Sequence, residues 1–224
     1  MRIARVPVVK ICCISSVGEA RMAMAAGASA LGLVSAMPSG PGVIPETRIA
    51  EIVMAVPPAI ATFLLTSRQS AIGIAEQHRR CGTSTIQLVD QVTRHELQQL
   101  RHLLPGINLV QVIHVTSEQS FDEACAVAHF VDALLLDSGN QALPVKELGG
   151  TGRTHDWRLS RRIRAACTVP VFLAGGLNCA NVAEAINSVA PFGVDLCTGV
   201  RTHGRLDPLK LHDFFDALRS GATS

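Results

Sequence analysis

"VPVFLAGGLNCANVAEAINSVAPFGVDLCTGV", Val169 to Val200, decides how this chain folds. It opens and closes on apolar runs, "VPVFLAGGL" (169–177) and "FGVDLCTGV" (192–200). The runs are short, rich in Val and Leu, and end on glycines, which reads as buried strand followed by turn. Between them "NCANVAEAINSVA" has the spacing of an amphipathic helix. Near-continuous apolar strands suit a parallel sheet buried on both faces.

Working outward, the same unit recurs. Further strand-like runs are "VPVVKICCI" (6–14), "ALGLVSA" (30–36), "AIATFLLTS" (59–67), "TSTIQLVD" (83–90), "INLVQVIHV" (107–115) and "VDALLLDSG" (131–139). Helical patterns lie between them, and "DPLKLHDFFDALRS" closes the chain. Asn178 and Asp207-Pro208 carry helix N-cap signals. Eight strands alternating with eight helices predict an α/β fold: a single-domain (βα)8 TIM barrel over residues 1–224. An open doubly wound sheet is disfavoured, because "SSVGEA" after the first strand lacks the dinucleotide-binding glycine pattern. The longest expected loop runs from Asn140 to His155, a length that is usually functional.

Composition narrows the function classes. The formal net charge is +2, with 20 basic and 18 acidic residues and no basic cluster, so neither nucleic acid nor an acidic membrane is an expected partner. Aromatics make up 4%, too few for base-stacking platforms. The N-terminus lacks a signal-peptide core and no apolar run is long enough to span a bilayer. Seven cysteines without Cys-x-x-Cys spacing read as buried thiols in a reducing cytoplasm, and no zinc site or cofactor is expected.

In such a barrel the site forms at the C-terminal ends of the strands. Polar residues there include Cys12, Gln87, Asp137, Asp195 and Thr198. Gly175-Gly176 and Thr198-Gly199 follow strands seven and eight, where glycine lets backbone N–H groups converge on phosphate; a plain tight turn is the alternative. Asp137, after four apolar residues, suits a general acid with a raised pKa, or else a structural hydrogen bond. Cys12 suits a base if neighbours support its thiolate, or else simple core packing. Strand alternation predicts that Cys13 points away from the barrel interior. Surface or loop roles are expected for Asp90 and His114.

The chain resembles the phosphoribosylanthranilate isomerase family of tryptophan biosynthesis. The resemblance is carried in order by "VKIC" (9–12), "AGASALGLV" (26–34), "IQLVD" (86–90), "LLLDSGN…GGTGRTHDW" (134–157), "PVFLAGGLNCANVAEAI" (170–186) and "GVDLCTGVRTHGRLDPLKLHDFF" (193–215). It implies an Amadori rearrangement of a phosphorylated aminoaldose to an aminoketose. By resemblance, Cys12 is the general base and Asp137 the general acid. The "GGTG" stretch with Gly149, Gly150 and Gly152 folds over the substrate. Gly175, Gly176, Thr198 and Gly199 hold phosphate, and Asp195 touches the sugar. No metal or cofactor is implied; the partner is a small phosphosugar, and the enzyme is expected as a cytoplasmic monomer or homodimer.

The departures are as specific. The family's loop after strand two carries an arginine for the anthranilate carboxylate; here "SAMPSGPGVIP" (35–45) has no cation. Cys13 stands where the family has Gly, Val89 where it has His, and Arg201 where it has an acid. Arg201 is therefore a candidate relocated cation, and without one the native protein is expected to isomerise phosphoribosylanthranilate poorly. Two further readings keep the same barrel: an isomerase for another phosphorylated sugar, and a phosphate binder without catalysis.

Overall fold

Strand β1 (Val8–Ile11) lies in parallel register with β8 (Gly193–Leu196), Val8 facing Gly193 and Ile11 facing Leu196, and that pairing closes the sheet on itself. The computed structural model describes residues 7–139 and 152–221. The intervening strands are β2 (Ala30–Val34), β3 (Ala61–Thr66), β4 (Thr85–Leu88), β5 (Asn108–His114), β6 (Ala133–Asp137) and β7 (Val171–Leu173). Each pairs with its neighbours in sequence order, giving a closed eight-stranded parallel barrel. Each strand falls inside its expected run, shortened at the ends.

The helices are α1 (Val17–Ala26), α2 (Glu46–Met54), α3 (Ala71–Cys81), α4 (Arg94–Leu103), α5 (Gln119–Val127), α6 (Trp157–Ala166), α7 (Val182–Val189) and α8 (Pro208–Gly221). Ser16, Ser70, Thr93 and Asp156 cap α1, α3, α4 and α6 by accepting a backbone N–H of the first turn. Asp207 accepts from the N–H groups of Leu209 and Lys210, as its place before Pro208 predicts. Asn178 does not cap α7, which starts at Val182. Its side chain instead accepts the N–H of Ala180 within the turn. A hairpin of β9 (Arg201–Thr202) and β10 (Arg205–Leu206), which hydropathy does not signal, precedes α8. No helix among the described residues is long and apolar enough to cross a membrane.

Two apolar layers follow from strand alternation. Leu31, Leu33, Leu64, Ile86, Leu134, Leu136 and Val194 face the helices. Ala30, Val34, Phe63, Leu65, Val110, Val112, Leu135 and Phe172 fill the barrel interior. One charged pair interrupts that interior. Lys10 is fully buried, its Nζ 2.8 Å from Asp195 Oδ2 and 5.3 Å from the Phe63 ring centroid. The two residues are paired in register across the β1–β8 seam. Removing one member of such a pair leaves a buried charge uncompensated. Lys10→Met is expected to lower unfolding stability by roughly 3–5 kcal/mol. Urea denaturation of both proteins checks this, and an unchanged midpoint would contradict it.

Candidate active site

The C-terminal mouth of the barrel opens into a cavity. Cys12, Asp137, Gly152, Gly175, Gly176, Asp195 and Thr198 line it together, so residues up to 186 positions apart meet there. Gly149 and Gly150 lie outside the described residues. Met37, Ser39, Gly40 and Pro41 form another wall. Their loop is non-helical and folds back on its own strand, with the Ile44 N–H donating to the Val34 carbonyl at 2.9 Å. Gly42 permits this close approach. Its φ is +79°, and a Cβ there would lie 2.5 Å from the Cys13 Cβ.

Cys12 follows the last residue of β1, tied to β8 by its N–H donating to the Leu196 carbonyl at 2.7 Å. Its thiol pKa is lowered. The Cys13 thiol hydrogen bond does most of this, and the Lys10 cation adds to it, against burial and the Asp195 charge. Lys10 stays charged because Asp195 and the two thiols together outweigh burial. Asp137 closes β6. Burial raises its carboxyl above the usual range, opposed by the Ser138 N–H, which donates to Oδ1 at 2.7 Å, and by the His114 imidazole. A thiol pulled down and a carboxyl pushed up facing one cavity is an acid–base pair in the making.

At the other side the loops after β7 and β8 meet. A Cβ on Gly199 would fall 2.0 Å from the Leu177 carbonyl oxygen, so only glycine lets these loops touch. Gly199 thus sits behind the cavity wall and Thr198 forms it. Asn178 and Asn181 each donate through Nδ2 to the Gly176 carbonyl, at 3.2 and 3.0 Å, which holds the Gly175-Gly176 turn open. Two buried polar atoms in the lining have no protein partner among the described residues: Asp195 Oδ1 and Gln87 Oε1. Acceptors left like this match a ligand bearing hydroxyl or amine donors.

Several expectations change. Cys13 does not turn away from the interior. It has left the strand with φ +61°, where alternation no longer applies, and it lines the cavity beside Cys12. Arg201 is no cation for a ligand in this cavity. Its guanidinium is buried, donating to Glu19 Oε1 at 3.0 Å and to the carbonyls of Cys12 and Cys13 at 3.0 and 2.6 Å. It ties down the end of β1 from behind. His114 is buried at the end of β5 rather than in a surface or loop position, whereas Asp90 lies in the loop after β4, as expected, but buried. Lys10 and Cys197 belong to the site although the sequence did not single them out, whereas Gln87 was among the polar residues expected at the strand ends. Their signal was placement alone: a lysine inside an apolar strand, and polar residues at strand ends.

The comparisons with known proteins bear on the family and the fold. The family model for N-(5'-phosphoribosyl)anthranilate (PRA) isomerase matches residues 9–217. The enzyme of that name from Haloferax volcanii is 35% identical, covering 96% of this chain and 92% of its own. That of Nostoc punctiforme is 33% identical over 95% and 98%. Among solved structures, the Thermotoga maritima phosphoribosylanthranilate isomerase superposes with a TM-score of 0.82 at 25% identity, covering 96% and 99%. Another, at 24% identity and a TM-score of 0.79, was solved with reduced 1-(o-carboxyphenylamino)-1-deoxyribulose 5-phosphate and supports the fold. Since the match runs from β1 into α8 and spans nearly the full length of these relatives, the chain belongs to the phosphoribosylanthranilate isomerase family.

Proposed function

We propose that this isomerase converts phosphoribosylanthranilate to its aminoketose, the Amadori step of tryptophan biosynthesis, with Cys12 as general base and Asp137 as general acid. The observation that carries this is the convergence of the two groups, with opposite pKa displacements, on one cavity bounded by the β7 and β8 loops. Asp137, its carboxyl pKa raised chiefly by burial, protonates the ring oxygen as the sugar opens. The Cys12 thiolate, supported by Cys13 and Lys10, then removes the C2 proton. Asp195 Oδ1 and Gln87 Oε1 accept from sugar hydroxyls or the substrate amine. Gly152, Gly175, Gly176 and Thr198 take the phosphate; Gly149 and Gly150 lie outside the described residues. The enzyme acts in the cytoplasm as a monomer or homodimer, without nucleic acid.

Complementation tests this reading. The gene is expected to restore growth of a tryptophan auxotroph lacking this isomerase. No growth with a folded, expressed protein would overturn the substrate assignment and favour another phosphorylated sugar.

None of the described residues lining the cavity is Lys or Arg. The anthranilate carboxylate therefore meets the loop of Ser39 and Gly40 without a charge-assisted hydrogen bond from it. Such bonds are worth roughly 1.5–3 kcal/mol. The native KM is accordingly expected to be high, and Ser39→Arg to lower it about 10–150-fold. Steady-state kinetics on both proteins decide; a Ser39→Arg KM equal to or above the native one would contradict the prediction.

A further inference from the structure

Three sulfurs gather where β1 and β8 end, and the proposed mechanism gives only one of them, Cys12, a proton to move. Register places Cys12 and Cys197 just beyond the paired residues Ile11 and Leu196. The left-handed backbone of Cys13 then swings its side chain across the seam, so that its Sγ lies 2.7 Å from Cys197 Sγ. Cys13 and Cys197 line the main cavity. Both also line a second one bounded by Pro41, Gly42, Thr198, Arg201 and Gly204. The Cys13 thiol donates to the Pro41 carbonyl at 3.6 Å, linking the pair to the substrate-side loop.

We propose that Cys13 and Cys197 are a modification site: a thiol pair that peroxide converts to a reversible disulfide, disabling the neighbouring base Cys12. In the first step the Cys197 sulfur attacks one peroxide oxygen. The O–O bond breaks, a sulfenic acid forms and one water leaves. In the second, the Cys13 sulfur attacks the Cys197 sulfur, the S–O bond breaks, and the hydroxyl leaves as water with the Cys13 thiol proton. The two thiols together give up two electrons, and the peroxide takes them. A dithiol reductant reverses the outcome by exchange.

The consequence reaches Cys12 because the Cys13 S–H is consumed. Cys12 is its chain neighbour on the same cavity wall, so drawing the Cys13 sulfur into a bond with Cys197 changes the surroundings of the base and removes a thiol that lowers its pKa. Lys10 and Asp195 remain as they were. This effect on turnover rests on the role of Cys12 proposed above, whereas formation of the disulfide does not.

The test treats the whole protein with hydrogen peroxide, alkylates it, and maps linked tryptic peptides by mass spectrometry. Turnover of phosphoribosylanthranilate is followed before and after dithiothreitol. A link between the peptide Ile11–Arg21 and the peptide carrying Cys197 is expected. A roughly 10²-fold loss of turnover that dithiothreitol restores should accompany it. A Cys12→Ser protein should still form the link, which assigns it to Cys13. Cys197→Ala, or Cys197→Ser if the alanine variant does not fold, should show neither the link nor the reversible loss. The proposal is overturned if peroxide oxidises the exposed Cys179, or joins Cys125 to Cys167, without linking Cys13 to Cys197. It is equally overturned if the link forms and turnover is unchanged. Failure of the base assignment shows separately, as full activity of Cys12→Ala.

Discussion

Cys12→Ala and Asp137→Asn each lower kcat on phosphoribosylanthranilate by roughly 10²–10⁴-fold, with the fold intact. Both groups line the cavity, and neither replacement disturbs the strand that carries it, because each changes only atoms beyond Cβ at a strand end. The pH dependence separates their roles. A base must be deprotonated, so activity rises with pH through the lowered pKa of Cys12. An acid must be protonated, so activity falls as pH climbs through the raised pKa of Asp137. The native profile of kcat/KM is therefore a bell, and Asp137→Asn, which cannot ionise, should lose the alkaline limb belonging to the acid. Circular dichroism confirms folding and steady-state assays across pH give the profile. Near-native turnover in either variant would remove that residue from the chemistry.

Thr198→Glu weakens binding of inorganic phosphate or a sugar phosphate on the order of 10²-fold or more. Thr198 forms the wall of the cavity between the β7 and β8 turns, and a carboxylate there faces the anion directly. Like charges brought together at a binding surface cost several kcal/mol, and each 1.4 kcal/mol is a factor of ten. Thr198→Ser keeps the hydroxyl and should bind as the native protein does. Calorimetric titration with phosphate reads both variants. Unchanged binding in folded Thr198→Glu would place the anion elsewhere in the cavity.

The barrel was legible because its strands are buried on both faces. A run such as "ALLLD" must be apolar throughout, and eight such runs at near-regular spacing leave few arrangements. The cap at Asp207 was legible for a similarly local reason: a short side chain answers an N–H two or three residues on. The start of α7 was not, since Asn178 satisfies a turn before Asn181 and the helix begins at Val182. Such competition between a turn and a cap depends on what the following residues pack against.

The sequence by itself determined the barrel, the strand ends that carry chemistry, and the candidates Cys12, Asp137, Gly175, Gly176 and Thr198. It did so because side-chain period and chain order act locally. Only the tertiary structure decided three matters. Arg201 looks like an available cation along the chain, but its two terminal nitrogens are held by the carbonyls of Cys12 and Cys13 and by the carboxylate of Glu19, 182 residues away, and it does not line the main cavity. Cys13 looks outward-facing by alternation, but a left-handed backbone turns it to Cys197. Lys10 looks like an interruption in an apolar strand, but barrel closure pairs it with Asp195 two residues from the Cys12 thiol. Each depends on closing β1 against β8, and charge, burial and pKa at that seam exist only once the two ends of the chain have met.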